Sequence, residues 1–401
     1  MEFRLFCLDC GEQYDGLGYR LVCDACHGLL EVEYAKEFSF NQPSSNSASR
    51  LARFSYRLPI RSSANLITLG EGGTPLIPLH RLGDRLDIEL FAKLEYLNPT
   101  GSFKDRGNAV QVSVLLENGV DAIVDSAVGN AGHSTAAYCA KAGIRYIGFA
   151  EHDLNDIKMR AIAYHGTELH WVQGDRTARR EAARKFAKVN NVLFFDYGKN
   201  VYFVEGQKTV AYEIAEDMID MPDHVILPSG NGSLLLALWR GFNEMLAAGY
   251  ISRLPRMHPV QSTAFQAIES AYNGDSWSPE PDAQTMAIGV SIASPPRLAR
   301  LVEICREAEG VPVSVPDSST LAWQHEIALR EQVHALSGKP VTCGYELATS
   351  LDAPRRAVTV AFNASLVPFI HQLIRAVQEI LAEHEVHAPV MVVKGDGSLV
   401  T

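Results

Sequence analysis

The sequence predicts an α/β fold of two lobes, with parallel or mixed sheets covered by helices on both faces, preceded by a small cysteine-rich module. Three observations carry this expectation. Short apolar runs alternate with amphipathic segments from Leu66 to Thr401, and strands alternating with helices of that length imply βαβ units and parallel pairing. Four of the seven cysteines fall within Met1–Tyr34. A chain of 401 residues is long enough for two or three domains of about 150 residues each.

Composition narrows the function. Hydrophobic residues make up 47% and charged residues 21%, which excludes a disordered or fibrous chain. Lys and Arg number 36 against 47 Asp and Glu, a net charge of −11. That balance weighs against nucleic acid or an anionic membrane as the main partner, while leaving room for a local basic pocket. No run is both long enough, at ~18 residues, and apolar enough to span a bilayer. Val225–Trp239 and Ala357–His371 come nearest, and their Asn, Ser or Pro residues mark them as buried globular segments. Asp9 stands where a secretory signal needs its apolar core. The expectation is a cytoplasmic chain with reduced thiols.

The first element, residues 1–34, contains Cys7-Leu8-Asp9-Cys10 and Cys23-Asp24-Ala25-Cys26. Each C-x-x-C presents two sulfurs on one tight turn, and two such turns together supply four thiolates at ~2.3 Å from a Zn²⁺ ion. Such a shell is closed, so the metal would be structural, supplying folding energy that so short a segment lacks. A redox dithiol would need one C-x-x-C in a thioredoxin-like setting, and a nucleic-acid-binding ribbon would carry more basic residues than this acidic one. Cys7, Cys10, Cys23 and Cys26 are therefore the candidate zinc ligands of a zinc-ribbon-like segment. Cys139, Cys305 and Cys343 stand alone and read as buried apolar residues. Residues 35–65, with Asn41-Gln42-Pro43-Ser44-Ser45-Asn46-Ser47, read as a linker.

The αβ region, 66–401, has a smaller lobe at roughly 100–200 and a larger one from the remainder. Within the smaller lobe, strands are expected at Asp121–Val124, Arg145–Ala150, Leu169–Val172 and Val192–Phe195. Helices are expected at Ala131–Ala142, stopped by Gly143; at Asp156–His165, stopped by Gly166; and at Arg176–Val189, capped by Asp175. The last is dense in Arg and Lys and reads as a solvated face. A second αβ stretch begins at Val225-Ile226-Leu227.

Three strand–helix junctions carry chemistry. Asn98–Gly107 makes a turn at Pro99 and Gly101, then a helix start at Phe103 with Ser102 and Asp105 approximating a capping box. Lys104 falls in the first helical turn, where the helix dipole and Arg106 disfavour its ammonium form. A lysine of depressed pKa suits Schiff-base chemistry, although an exposed first-turn lysine explains the same features. Asn130, at the next junction, is either a helix cap or a donor to a ligand. The glycines of Ser229-Gly230-Asn231-Gly232-Ser233 allow backbone amides to approach a phosphate, although a ligand-free turn would look alike. Together, an activated lysine, an asparagine facing a ring and a phosphate-cradling loop describe a site for pyridoxal 5′-phosphate (PLP).

At this point the chain resembles the threonine synthase branch of the fold-type II PLP-dependent enzymes, a tryptophan-synthase-β-like architecture. The matching motifs stand in family order: Gly70–Leu76, Lys93-Leu94-Glu95 running into Asn98–Gly107, Gly129–Gly132, Glu205-Gly206-Gln207-Lys208-Thr209 and Ser229–Ser233. The cysteine-rich segment is similar to that of threonine and cysteate synthases. The resemblance implies Lys104 as the Schiff-base lysine and proton shuttle, Asn130 on the ring hydroxyl, and Gly230, Asn231, Gly232 and Ser233 on the cofactor phosphate. It points more weakly to Ser102 and Arg106 for the substrate's anionic group.

Three features depart from the family. Ala127 and Val128 stand where hydroxyl residues usually hold the substrate's anionic groups. Lys394, in Val393–Ser398, occupies the place of the Thr that meets the pyridine nitrogen, unless Asp396 or Ser398 takes it after a local shift. No Glu-Pro is found near Val341–Ala348.

The implied activity is elimination or replacement at the β- or γ-carbon of an amino acid, closest to conversion of O-phospho-L-homoserine and water into L-threonine and phosphate. The alternatives are a cysteate-synthase-like β-replacement on O-phosphoserine, a specialised relative, or a non-catalytic zinc-ribbon binding protein. The implied partners are a phosphorylated amino-acid substrate and a second copy in a homodimer.

Overall fold

The structure is a computed structural model that describes residues 3–35, 50–126, 128–151, 157–174, 176–317, 392–393 and 399–400. It divides into two units, Met1–Val315 and Pro316–Thr401. In the second unit the described residues form a short antiparallel pair, Val392–Val393 with Leu399–Val400.

The first unit opens with three antiparallel strands, β1 (Phe3–Cys7), β2 (Gln13–Asp15) and β3 (Leu30–Tyr34), ordered β2-β1-β3. Alternation places Phe3, Leu5 and Cys7 inward on β1 and Leu30 and Val32 inward on β3, as one half-buried face requires. Residues 35–65 are a linker only in expectation. From Arg50 onward the described part winds into short 3-10 helices at Leu51–Arg57 and Ser63–Asn65, and Leu51, Phe54, Leu58 and Ile60 are buried. Those apolar side chains bind the segment to the core.

Next come the antiparallel pair β4 (Leu76–Pro78) and β5 (Phe91–Lys93), separated by α1 (His80–Leu86). The long helix α2 (Lys104–Glu117) then runs through the unit with every residue from Asp105 to Leu115 buried. A helix covered on all sides has no polar face to show, which explains its near-absence of amphipathic pattern.

A four-stranded parallel sheet follows: β6 (Ala122–Asp125), β7 (Arg145–Glu151), β8 (Glu168–Val172) and β9 (Leu193–Phe195), in the order β8-β7-β6-β9. Its connections are α3 (Gly129–Ala142), α4 (Ile157–Tyr164) and α5 (Arg176–Asn190). Gly143 ends α3 in a left-handed C-cap at φ 72°, as its position predicts. Each element lies within two residues of its expected bounds. Asp175, the expected cap of α5, lies outside the described residues.

After α6 (Val201–Gln207) and α7 (Thr209–Asp217), a second parallel sheet is built from β10 (His224–Pro228), β11 (Arg256–Ser262) and β12 (Val313–Val315). Helices α8 (Ser233–Ala247), α9 (Ala267–Asn273) and α10 (Leu298–Glu307) accompany it. One buried apolar cluster spans the N-terminal strands, α2, α3 and the first parallel sheet. Another spans α7, α8, α10 and the second. Each fully buried Leu, Ile, Val or Phe in them contributes about 1.5–3 kcal/mol. Among the described residues no helix is long and apolar enough to cross a membrane.

Candidate active site

The sharp bend before α2 is built by Asn98, Thr100 and Asp105. Gly101 turns at φ 80° with its amide on the Asn98 carbonyl, 2.8 Å. Asp105 accepts from the Thr100 amide at 2.7 Å, from the Thr100 hydroxyl at 2.5 Å and from Ser134 Oγ at 2.5 Å. This replaces the expected capping box: the N-cap is Phe103, and no side chain caps it. Ser102 is buried with its hydroxyl unpaired. It does not line the cavity described below.

Lys104 opens the helix and its chain runs among aromatic rings, with Nζ 4.0 Å from the Phe103 centroid, 5.8 Å from Phe203 and 5.9 Å from Tyr197. Burial there pushes its ammonium down to about 8 from the usual 10.5, because a charged amine is poorly solvated by rings. Arg106, expected to assist electrostatically, does not. Its guanidinium is wholly buried on the other side of α2 and forks between Glu95 (2.7 and 2.8 Å) and Glu213 (2.7 and 2.8 Å), which cancel its charge. For the same reason it is not available to a substrate anion; it welds α2 to α7.

A cavity of about 700 Å³ lies where the two parallel sheets' strand–helix junctions converge. Lys104, Asn130 and the Ser229–Ser233 loop all line it, so residues from junctions far apart in sequence share one space. Asn130 is the second residue of α3, two positions past the cap at Val128, and its side chain is exposed to the cavity. The loop leaves β10 and enters α8 through Gly232 at φ 75°. A Cβ on Gly232 would fall 2.2 Å from Leu301 at a left-handed φ, and one on Gly230 would fall 3.0 Å from the Gly289 carbonyl, so the first position demands glycine and the second is tight for any side chain. Ser229 Oγ is buried and unpaired, which leaves an oriented hydroxyl without a protein partner. A glycine-lined loop, a helix N-terminus and an orphaned hydroxyl together suit a phosphate. The residues present therefore fit PLP. Lys394 lies outside the described residues, as do Ala127 and the stretch 341–348.

The basic helix turns one edge inward. Arg176, Arg179 and Arg180, spaced i, i+3, i+4 on α5, line the cavity, where a solvated face was expected. Arg179 pairs with Glu151 and Arg180 with Asp196. Arg176 contacts the Ser291 carbonyl at 3.0 Å, and among the described residues no carboxylate pairs with it. The arginine spacing was legible in the sequence; that this face meets a cavity was not.

The motif Glu205–Thr209 serves structure. Glu205, Gln207, Lys208 and Thr209 are fully buried, and Lys208 bridges Glu205 and Glu244.

The cysteines form a second centre. The ligand atoms of Cys7, Cys10, Cys23 and Cys26 lie within 4.8 Å of one another, unbridged. Cys7 and Cys26 sulfurs are 3.4 Å apart, and those of Cys10 and Cys23 3.6 Å, close to the ~3.8 Å edge of a tetrahedron with ~2.3 Å Zn–S bonds. The turns meet because position 28 is glycine: a Cβ there would lie 2.8 Å from Cys7 Sγ. Cys139 and Cys305 are buried, as expected. Cys343 lies outside the described residues.

The chain matches the model of the pyridoxal-phosphate dependent enzyme family over residues 67–363. It is 30% identical to the threonine synthase of Methanosarcina acetivorans over 338 residues, 82% of this chain and 83% of that one. It is 33% identical to the threonine synthase of Mycobacterium leprae over 284 residues, 71% and 77% of the two chains. Solved structures share the fold. The fungal L-serine ammonia-lyase from Rhizomucor miehei superposes with a TM-score of 0.54 at 19% identity, covering 76% of this chain and 88% of that one. Maize serine racemase superposes with a TM-score of 0.53 at 17% identity, covering 66% and 77%. With Lys104 and the glycine loop lining one cavity in that fold, the chain belongs to the fold-type II pyridoxal-phosphate-dependent enzymes, on the branch of the threonine synthases.

Proposed function

We propose that this chain catalyses elimination or replacement at the β- or γ-carbon of a phosphorylated amino acid, closest to formation of L-threonine and phosphate from O-phospho-L-homoserine and water. The observation that carries the reading is the convergence of Lys104, Asn130 and the glycine cradle on one cavity. PLP bound there supplies an aldehyde for the lysine amine and a ring that draws electron density from the substrate's α-carbon.

The chain's residues do the rest. Lys104 Nζ, neutral in part near pH 8, takes and returns protons at the substrate's carbons. Asn130 contacts the ring hydroxyl. The amides of Gly230, Asn231, Gly232 and Ser233, with the orphaned Ser229 hydroxyl, hold the cofactor phosphate. Phe103, Tyr197 and Phe203 keep water from the amine. Arg176, the arginine of the cavity wall that no carboxylate pairs with among the described residues, receives the substrate's distal anion in place of Ser102 and Arg106. Lys394 is assigned to the pyridine nitrogen on the family resemblance alone. A homodimer rests on the same resemblance.

The four cysteines we read as a closed, structural Zn²⁺ site, on the donor set and its spacing.

Reconstituted protein should absorb at the ultraviolet–visible border, and Lys104→Ala should abolish that band and its reduction by borohydride. O-phosphohomoserine should then yield threonine and phosphate. Val128 in the cavity wall, where the family carries a hydroxyl, favours one second reading. If phosphate is released only from O-phosphoserine, and only with an added nucleophile such as sulfite, β-replacement is the activity.

A further inference from the structure

The N-terminal module makes two sets of contacts with the elements that surround Lys104. Tyr19, in the loop between the cysteine pairs, stacks on Tyr202 with ring centroids 5.5 Å apart. Its hydroxyl accepts from Asn200 Nδ2 at 2.8 Å. Asn200 is fully buried, and its Oδ1 caps α6 through the amides of Tyr202 (2.9 Å) and Phe203 (3.3 Å). Immediately before it, Asp196, Tyr197 and Gly198 border the cavity and its mouth. Immediately after it, Phe203 packs edge-on against Tyr197, 5.6 Å between centroids, and both rings stand against the Lys104 amine. Tyr197 also accepts from Asn231 of the cradle at 3.2 Å. The second set is ionic. Arg240 of α8 reaches Glu31 at 2.6 Å and the Val32 carbonyl at 2.6 Å on the module's third strand, and Glu205 of α6 at 2.9 Å.

The module therefore fastens α6, whose start shapes the lysine's aromatic cage, and α8, whose start is the cradle. An asparagine that spends its carbonyl on a helix cap has one amide group left to orient the turn it stands in, and Tyr19 is the partner that holds it.

We propose that Tyr19 is a positioning residue for Lys104: through Asn200 it fixes the turn 196–200 and thereby the Tyr197–Phe203 wall of the amine. The inference rests on Lys104 as the reactive amine of the proposed site. Tyr19→Phe removes the hydroxyl and keeps the ring stack, so the module should stay folded.

The test is competitive labelling of the full chain by acetic anhydride across pH, read on the Lys104 peptide by mass spectrometry, alongside a thermal melt. Run on the full chain stripped of PLP, this measures the free amine; protection of the same peptide by added PLP separately tests the proposed function. In the parent the labelling midpoint should lie at about 8. In Tyr19→Phe, looser packing should admit water and raise it by about 0.5–1 unit, so that neutral amine at pH 7 falls about three- to tenfold. Tyr164→Phe, an exposed position on another helix, should leave both readings unchanged. A Tyr19→Phe protein that melts lower with an unmoved midpoint would make the contact merely structural and overturn the proposal. An unmoved midpoint with an unmoved melt, or a parent midpoint near 10.5, would also overturn it.

Discussion

Two cations two positions apart in sequence have opposite fates. Lys104 is half-buried and gains no counter-ion among the described residues, whereas Arg106 is wholly buried and forks between Glu95 and Glu213. The first is the state we propose for the reactive amine, and the second is structural. Lys104 should therefore form its adduct with PLP progressively as pH rises through about 8, seen as growth of the absorption band when cofactor is returned to the stripped protein. Its effect on stability is opposite to that of a paired lysine: a depressed amine destabilises the fold fully below about 8, and the penalty fades as pH climbs toward 10.5. Arg106→Leu should cost about 3–5 kcal/mol in urea unfolding, because it leaves Glu213 buried without its guanidinium partner. Glu213 itself would rise on burial, but Arg106 and Lys93 outweigh that and hold it at about 2. The stability it adds is complete above its usual 4.5 and is lost as pH falls toward 2, so acid melts should show Arg106→Leu converging on the parent at low pH. Arg176→Ala should raise KM for a phosphorylated substrate about tenfold or more with a smaller effect on kcat.

Between elements, glycines decide how closely helices pass. Gly206 of α6 faces α2, and a Cβ there would lie 2.0 Å from the Arg106 carbonyl. The obstacle is backbone, so the helices must separate. Gly206→Ala should lose about 1–3 kcal/mol or more and weaken PLP retention, since α6 carries Phe203. Gly143→Ala faces open space and meets only its left-handed φ of 72°, costing about 1–2 kcal/mol with cofactor binding unchanged. Equilibrium denaturation and cofactor absorbance separate the two. The strands and helices of the first parallel sheet were legible from residues 121 to 195, because alternating apolar runs and stop glycines are local signals. The Ser102–Asp105 capping box, expected from the same local spacing, does not form. Asp105 met Thr100 and Ser134 instead, and Ser134 belongs to a helix that sequence spacing does not bring near.

At the level of the molecule, two centres coexist: the cysteine cluster and the cavity. Cys23→Ser should remove bound zinc, measured by elemental analysis against chain concentration, and lower the melting temperature, because a thiolate shell contributes folding energy. The order of residues alone made the motifs readable: two C-x-x-C turns, a lysine after a Pro-Gly turn, and a glycine loop before an apolar helix, each set by covalent spacing and local backbone preference. Which groups act together was settled by packing in three dimensions. It sent Arg106 into an ion pair and turned Arg176 toward the cavity. It also buried Glu205 and Lys208 as a weld and brought Tyr19 against Asn200 across 181 positions of chain. Those outcomes depend on what lies across a helix or behind a sheet. Local propensity contains no term for that, because burial and charge compensation are properties of neighbours in space.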